Sequence, residues 1–166
     1  SFAVVRYGNV MGSRGSVIPL FKSLKEKNKF PITDERMTRF MITLEEGVDL
    51  VWKSFDEMIG GEIFVKKIPS MNILDIARAF SDKPEFYDIG IRPGEKLHEQ
   101  MIGIEDSPYT FEYDDYFKIL PSIHNWHTDP DRISAGEKVN EGFKYISNEN
   151  TEWMSVETLK AWIESN

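Results

Sequence analysis

Hydrophobic positions along the chain follow two different spacings, and each spacing predicts a type of element. Residues 2–7 form an almost unbroken apolar run, which is typical of a strand buried on both faces in a parallel sheet. Thr43 and Glu46 fit a capping box, which opens a helix with apolar residues at helical spacing until Gly60-Gly61. By the same criteria we predict, in chain order, a helix over 17–27 capped by Ser16, an extended stretch over 30–33, a strand over 62–66, a helix over 70–80, a strand over 86–91, a helix that follows Pro93-Gly94 and contains Leu97 and Met101, and a final helix from Ser155 through Trp162.

The alternation of these elements predicts the fold class. Up to Gly103, strands and helices follow one another at a spacing that implies α/β architecture with parallel pairing. Beyond Gly103 the rhythm changes, because aromatic and aliphatic residues flank Asp114-Asp115 and predict either a hairpin or two extended segments. The stretch 122–147 has the composition of a loop, and the chain contains no internal repeat.

Composition narrows the classes of protein to which the chain can belong. With 166 residues, 40% of them hydrophobic, it suits one globular domain or a large piece of one. The net charge of −8 disfavours a nucleic-acid partner, and the absence of an eighteen-residue apolar run disfavours membrane insertion, so we expect a cytoplasmic protein. The absence of cysteine excludes disulfides and thiolate chemistry. A buried-type strand that starts almost at Ser1 would leave a bare sheet edge, so we also expect a fragment.

The run VVRYGNVMGSRGSVIPLF raises the question of a phosphate-binding loop. It places a strand, three glycines and a helix N-terminus in the order of a dinucleotide-binding fingerprint, and Asp34 follows at nearly the interval of the ribose-binding acid. However, the glycine spacing is G-x-x-x-G-x-x-G, and Arg36 and Arg39 stand where an NAD site needs a carboxylate. The residues alone leave three interpretations open: cofactor binding, a structural turn, and binding of another anion such as a diphosphate.

Several motifs in a fixed order make the chain resemble a known family. The runs RYGNVMGSRGSVIPLF, PITDERMTRFMITLEEGVDLV, GGEIFVKKIPSM and IGIRPGEKLHE resemble the C-terminal half of the extended short-chain dehydrogenase/reductases that act on nucleotide sugars. Among these, the chain is most similar to the inverting UDP-N-acetylglucosamine 4,6-dehydratases, along nearly its whole length. The resemblance implies the C-terminal portion of a Rossmann-type α/β protein. Residues 1–7 and about 62–67 would be its last parallel strands, residues 1–166 its substrate-binding part, and the NADP-binding half would be absent.

The resemblance also implies roles for seven residues. These substrate-binding residues are Asn9 near the diphosphate, Val17, Ile32 and Thr33 along the uracil, Arg39 and Arg92 at phosphate or ribose, and Glu95 at a ribose hydroxyl. The division suits their chemistry, because a guanidinium donates to phosphate oxygens whereas a carboxylate only accepts. Structural alternatives stay open: Asn9 can close a turn, Arg39 can pair with a glutamate of the next helix, and Glu95 can favour a helix N-terminus.

The family's reaction implies residues that this sequence lacks. It resembles a cycle in which NADP takes a hydride from the sugar C4, water leaves across C5 and C6, and the hydride returns to C6. That cycle needs a Tyr-x-x-x-Lys pair and an Asp-Lys couple, and neither Y-x-x-x-K nor T-D-K occurs here. We therefore expect no catalytic, cofactor-binding or metal-binding residue and no turnover from these residues alone. The implied partners of the parent enzyme are a UDP-sugar and further copies of its own subunit, in the biosynthesis of pseudaminic acid or a surface polysaccharide.

Two other functions stay open. A UDP-sugar epimerase or a retaining dehydratase of the same superfamily would share the diphosphate site, whereas a non-catalytic interaction module would not bind UDP. His124 and His127 are three residues apart, but they lie in a predicted loop without a third ligand, which favours surface histidines over a metal site. We predict His98 to be a helix residue and not a general base.

Overall fold

The computed structural model describes all 166 residues, and its regular elements are short. The strands are β1 (Val4–Arg6), β2 (Asn9–Val10), β3 (Lys29–Ile32), β4 (Thr38–Ile42), β5 (Ile63–Lys66), β6 (Ser70–Asn72), β7 (Glu85–Asp88), β8 (Gln100–Ile102), β9 (Thr110–Glu112), β10 (Tyr116–Ile119), β11 (Glu137–Lys138) and β12 (Tyr145–Ile146). The α-helices are α1 (Val17–Leu24), α2 (Leu44–Glu57), α3 (Ile73–Arg78), α4 (Pro130–Ile133) and α5 (Val156–Ser165). Short 3-10 helices cover Lys25–Lys27, Ile104–Tyr109 and Ile123–Thr128.

The chain divides into two compact units, each built from three separate stretches of sequence. The first unit consists of Ser1–Tyr7, Thr43–Ile68 and Gln100–Ile146. The second unit consists of Gly8–Ile42, Pro69–Glu99 and Ser147–Asn166.

A five-stranded sheet organises the first unit, in the order β1-β5-β10-β9-β11. Strands β1 and β5 are parallel, with Val4 opposite Ile63, and the remaining pairs are antiparallel. Helix α2 begins at the predicted capping box, since Thr43 Oγ1 accepts a hydrogen bond from the Glu46 amide and the Glu46 carboxylate accepts one from the Thr43 amide. Its buried face carries Gly47, Leu50 and Ser54. The parallel β1–β5 pair with the helix between them in sequence is a βαβ arrangement.

The outer surfaces of this unit are unexpectedly apolar. Phe2 is 87% exposed and Val4 is 53% exposed, so the expectation that strand 2–7 is buried on both faces is wrong for the described chain. The physical reason is that side chains project from the faces of a sheet, and the face from which Val4 projects is not covered at this residue, whereas Val5 and Arg6 are partly buried. Helix α2 likewise exposes Trp52 and Phe55 on the face opposite its buried residues.

The second unit has one continuous hydrophobic core. Its members come from α1, β3, β4, α3 and α5, and they include Phe21, Phe30, Met41, Ile76 and Leu159. Two small sheets cover this core, β2-β4-β6 and β3-β7. Strand β2 lies parallel to β4, and β3 lies parallel to β7. Every residue that the sequence assigned to substrate binding belongs to this unit.

The glycine loop has a packing role in this unit. A Cβ atom at Gly8 would collide with the backbone and Cβ of Phe40, and one at Gly12 would lie 2.9 Å from the ring of Trp162. Gly12 also has a φ of +74°, which a side chain rarely allows. Two of the three loop glycines are therefore required by neighbouring protein atoms.

The predicted elements agree with the structure in part. Of the two alternatives predicted around Asp114-Asp115, the structure has the hairpin, formed by β9 and β10. Ser155 caps the final helix through the Thr158 amide. The helix predicted over 70–80 is in fact strand β6 followed by α3, because residues 70–72 pair with β4. The helix predicted after Pro93-Gly94 is wrong: no helix occurs there, and Met101 lies in β8.

Candidate functional site

A groove at the ends of β3 and β7 contains two of the seven predicted residues. It has a volume of about 390 Å³, and its lining residues are Ile32, Thr33, Asp34, Glu35, Arg36, Phe86, Tyr87 and Asp88. The two strands pair in register, with Ile32 opposite Asp88, and the Ile89 amide continues the pairing to the Ile32 carbonyl. The groove therefore offers extended backbone and two partly exposed aromatic rings, Phe86 and Tyr87.

An ion pair stands at the same groove. Arg36 Nε and Nη2 donate to the two carboxylate oxygens of Asp34 at 2.9 and 2.7 Å, and the Arg36 amide also donates to Oδ1. The hydrogen bonds from Arg36 lower the pKa of the Asp34 carboxyl to about 2. Asp34 is thus an ionised acceptor already occupied by its neighbour.

The Arg92–Glu95 turn presents the most accessible arginine of the predicted set. The side chain of Arg92 is 75% exposed, and that of Glu95 is 23% exposed. Glu95 Oε2 accepts a hydrogen bond from the Arg92 amide at 3.2 Å and lies 3.7 Å from the guanidinium Nε. The terminal nitrogens of the guanidinium face solvent and are available to an anion.

Arg39 is in a different situation, because its guanidinium is bound by main-chain carbonyls. Nη1 donates to the carbonyls of Thr38 and Leu97 at 2.7 and 3.0 Å, and Nη2 donates to the carbonyl of Lys96 at 3.1 Å. Only 14% of the side chain is exposed. Neither Glu45 nor Glu46 is its partner; the nearest carboxylate is that of Glu99, at 3.9 Å from Nε. Direct contact of Arg39 with phosphate stays a prediction, whereas its hydrogen bonds to the carbonyls of Lys96 and Leu97 are observed.

Asn9 lies beside the same carboxylate. Its amide nitrogen faces Glu99, at 2.7 Å from Oε1 and 3.2 Å from Oε2, since the opposite orientation would set oxygen against oxygen. Glu99 Oε2 also accepts a hydrogen bond from the Phe40 amide at 3.1 Å. Burial raises the pKa of the Glu99 carboxyl, although the Phe40 amide and the charge of Arg39 act in the opposite direction.

A second network fixes the residues next to Glu99. Thr38 Oγ1 lies 2.8 Å from His98 Nδ1 and 2.7 Å from Ser147 Oγ. Ser147 Oγ accepts a hydrogen bond from the Glu99 amide at 2.9 Å. His98 is therefore engaged by a buried threonine, and it is not the helix residue that the sequence predicted.

The predicted residues accordingly form three pairs and one outlier, and Arg92 with Glu95 is the pair described above. Asn9 and Arg39 meet at Glu99, and Ile32 and Thr33 line the groove. Val17, the first residue of α1, packs against the hydrophobic core. Sequence reasoning missed Glu99, which ends the quoted run IGIRPGEKLHE, because its partners Asn9 and Phe40 lie far away in the sequence.

The N-terminus of α1 carries one further polar group without a protein partner. Ser16 is the N-cap residue, as predicted, but its hydroxyl makes no capping hydrogen bond. The oxygen Oγ is buried and has no hydrogen-bond partner. Since a buried hydroxyl is normally satisfied, this atom is a candidate ligand contact.

Other candidate sites in the chain are less suitable. No three His, Asp or Glu side chains lie close enough to hold a metal ion. A groove of about 510 Å³ in the first unit is lined by charges of both signs and by Tyr113 and Tyr116, whose rings stack on each other. Lys53 and Lys118 lie over those rings, so these groups already have partners. None of the helices combines the length and the apolar character that crossing a membrane requires.

The glycine loop and Asp34 lack two features of a dinucleotide-binding fingerprint. Such a site needs glycines whose backbone is open to a pyrophosphate and a carboxylate open to a ribose. Here the lack of a side chain at Gly8 and Gly12 is explained by the close approach of Phe40 and Trp162, and the Asp34 carboxylate is held by Arg36. The cofactor interpretation of the glycine loop therefore has no support in its geometry, which leaves the structural turn and the binding of another anion.

Comparisons with known proteins indicate the family to which this chain belongs. A family model described as "Polysaccharide biosynthesis protein" matches residues 1–121. The chain is 51% identical over 165 residues to the UDP-N-acetylglucosamine 4,6-dehydratase (inverting) of Campylobacter jejuni serotype O:2, covering 95% of this chain and 49% of the relative. It is 43% identical over 121 residues to the UDP-glucose 4-epimerase of Rickettsia rickettsii, covering 70% of this chain and 36% of the relative.

A solved structure confirms the fold class. The X-ray structure of Pen from Bacillus thuringiensis matches with a TM-score of 0.81 and 32% identity, covering 100% of this chain and 49% of that one. The chain spans about half the length of the Campylobacter relative and of Pen. The α/β class and the resemblance found in the sequence are thus confirmed, and the chain belongs to the polysaccharide biosynthesis protein family.

Proposed function

We propose that this chain is the UDP-sugar-binding part of an NADP-dependent UDP-N-acetylglucosamine 4,6-dehydratase of the inverting type, acting in nucleotide-sugar biosynthesis. The observation that carries the proposal is the 51% identity to the Campylobacter dehydratase over 95% of the chain. In this proposal the hydride and proton transfers belong to polypeptide other than these 166 residues, and no step of the reaction is assigned to a residue of this chain.

The groove at the ends of β3 and β7 is the proposed site of the nucleoside. Ile32 is a buried lining residue at the end of β3, and Thr33 lines the groove at the bend that follows. The exposed backbone amides and carbonyls of such a stretch can pair with the donor and acceptor edge of a uracil. The ring of Tyr87, 49% exposed, offers a stacking surface for the base. The groove thus provides both shape and polarity for a nucleobase.

The exposed guanidinium of Arg92 is the proposed contact of the diphosphate. An arginine donates two parallel hydrogen bonds to phosphate oxygens, and this one has its terminal nitrogens in solvent. Glu95, whose carboxylate accepts from the Arg92 amide, is the proposed acceptor of a hydrogen bond from a ribose hydroxyl. Asn9 and the hydroxyl of Ser16 at the α1 N-terminus are further proposed donors to phosphate.

Titration of the chain with UDP tests this proposal. We expect Arg92→Ala to weaken UDP binding by about 1.5–3 kcal/mol, the cost of a lost hydrogen bond to a charged group. Arg78→Ala is the matched control, because Arg78 is also an exposed arginine of the second unit and pairs only with Asp75. Unchanged affinity of the Arg92 variant would remove this residue from the site.

Two further measurements separate the alternative functions. If the chain binds no UDP by isothermal titration, even alongside the remaining part of the parent enzyme, a non-catalytic interaction module is favoured. If the parent enzyme inverts C4 of a UDP-hexose and makes no 4-keto product, the epimerase interpretation is favoured, as the Rickettsia relative suggests. From the 166 residues alone, supplied with NADP and UDP-N-acetylglucosamine, we expect no 4-keto sugar.

A further inference from the structure

Glu99 joins three separate segments of the chain at the candidate site. Its carboxylate accepts hydrogen bonds from the Asn9 side chain on β2 and from the Phe40 amide on β4. Its own amide donates to Ser147, which lies far along the chain. A carboxylate with 29% of its side chain exposed thus has both oxygens engaged by the protein.

The contact with Asn9 restricts that side chain more than any other interaction there. A primary amide has two N–H bonds and one oxygen, and rotation about its last bond exchanges their positions. Because the carboxylate only accepts, it selects the orientation in which the Asn9 nitrogen faces Glu99. The second N–H of the same nitrogen then stays available as a donor in a fixed direction.

Without Glu99, no carboxylate would fix the orientation of the Asn9 side-chain amide. Strand β2 is only two residues long, so its backbone pairing with β4 fixes few atoms around Asn9. The Phe40 amide would lose its acceptor at the same time, in the interior of the unit. The Asn9 amide would then be free to present its oxygen outward, which repels a phosphate.

We propose that Glu99 is a positioning residue that orients the Asn9 amide so that it presents a donor to the diphosphate of the sugar nucleotide. Glu99 does not itself contact the ligand, because a carboxylate beside a diphosphate is repulsive. This inference rests on the proposed function insofar as the ligand is a nucleoside diphosphate. The orientation of Asn9 itself is independent of that function.

A double-mutant cycle with UDP as the probe tests the route of action. We expect Glu99→Ala and Asn9→Ala each to raise the Kd for UDP about tenfold. An increase of this size corresponds to the loss of one charge-assisted hydrogen bond. In the Asn9→Ala background, Glu99→Ala should change the Kd less than about twofold, because its target is gone. A tenfold loss in both backgrounds would overturn the proposal, since Glu99 would then act independently of Asn9.

Two companion variants keep the test valid if Glu99→Ala folds poorly. Glu99→Gln retains an acceptor oxygen for the Asn9 nitrogen, so its Kd should stay within about threefold of that of the unaltered chain. A tenfold loss in this variant as well would contradict the hydrogen-bond mechanism. Glu26→Ala is the matched control, since Glu26 is an exposed glutamate of the same unit, on the 3-10 turn after α1.

A spectroscopic readout separates this proposal from the proposed function. The side-chain NH₂ resonances of Asn9, identified by their loss in Asn9→Ala, should be protected from exchange and should shift in Glu99→Ala. If they shift but UDP does not bind the unaltered chain, the proposed function fails and the positioning role stands. If they do not move, Glu99 does not orient Asn9, and the inference is wrong whatever the chain binds.

Discussion

Residues 90–95 and residues 96–99 belong to one run of sequence but are held in opposite ways. The first segment bonds almost only to itself and its neighbours: Gly90 to Asp88, and Arg92 to Glu95. The second segment is bound by β4 at every residue, through Arg39, Thr38 and Phe40. The exposed Arg92 thus lies directly before a segment that is held in place by β4, which is how binding loops are commonly supported.

Among the variants that test this contrast, Arg39→Ala should have the largest effect on the free energy of unfolding. The variant removes three hydrogen bonds from a charged donor to the carbonyls of Thr38, Lys96 and Leu97, in a side chain that is 14% exposed. We expect the free energy of unfolding to fall by about 3 kcal/mol, measured by urea denaturation. Arg78→Ala removes only a surface pair and should cost about 1 kcal/mol or less. Equal losses in both variants would mean that residues 96–99 are not clamped.

A smaller effect should follow from Thr38→Val, which keeps the shape of a buried residue and removes its hydroxyl. The His98 ring and the Ser147 hydroxyl each lose one partner. We expect a loss of about 1–2 kcal/mol in the free energy of unfolding. Thr33→Val, at a threonine of the groove, changes no side-chain hydrogen bond and should stay within about 0.5 kcal/mol. A stability of Thr38→Val equal to that of Thr33→Val would contradict the role of the network.

The smallest effect should be a pH dependence with opposite signs at the two carboxylates. Burial raises the pKa of Glu99 in the folded chain above its ordinary value of 4.5. As pH rises through 4.5, the unfolded chain therefore releases this proton before the folded chain does. The contribution of Glu99 to the free energy of unfolding consequently falls as pH rises. Hydrogen bonds from Arg36 lower the pKa of Asp34 from 3.8 to about 2, so Asp34 stabilises above pH 3.8 and loses this contribution as pH falls towards 2.

Glu99→Gln and Asp34→Asn separate these two contributions. Relative to the unaltered chain, Glu99→Gln should gain stability as pH rises above 4.5, and Asp34→Asn should lose stability as pH rises from 2 to 4. Thermal unfolding midpoints across this range provide the measurement. A common sign for both variants would show that Glu99 is not desolvated in the folded chain.

The contrast between the two segments also explains what the sequence could predict. The capping box of α2 and the β9–β10 hairpin depend on neighbouring residues; the first was predicted, and the second was one of two predicted alternatives. Leu97 and Met101 are four residues apart, a helical spacing, so the sequence predicted a helix there. The carbonyls of Lys96 and Leu97 instead bond to Arg39, more than fifty residues away, and no local pattern contains that information.

The candidate site was predictable to the same extent. The motifs placed all seven residues in one unit, because the runs that carry them are distinctive. They did not reveal that Arg39 is bound by carbonyls or that Asn9 meets Glu99, since both facts depend on how β2 and β4 lie beside residues 96–99. Direct binding by Arg39, Arg92 and Asn9 stays a prediction.

The close approach of Gly8 to Phe40 gives the neighbouring position an unusual sensitivity. Any side chain at position 8 would act as a wedge under β2 and push it away from β4. Asn9, one residue along, would move with the strand and lose its alignment with Glu99. The substitution Gly8→Ala, whose methyl group contacts no ligand, would therefore weaken the proposed binding through Asn9.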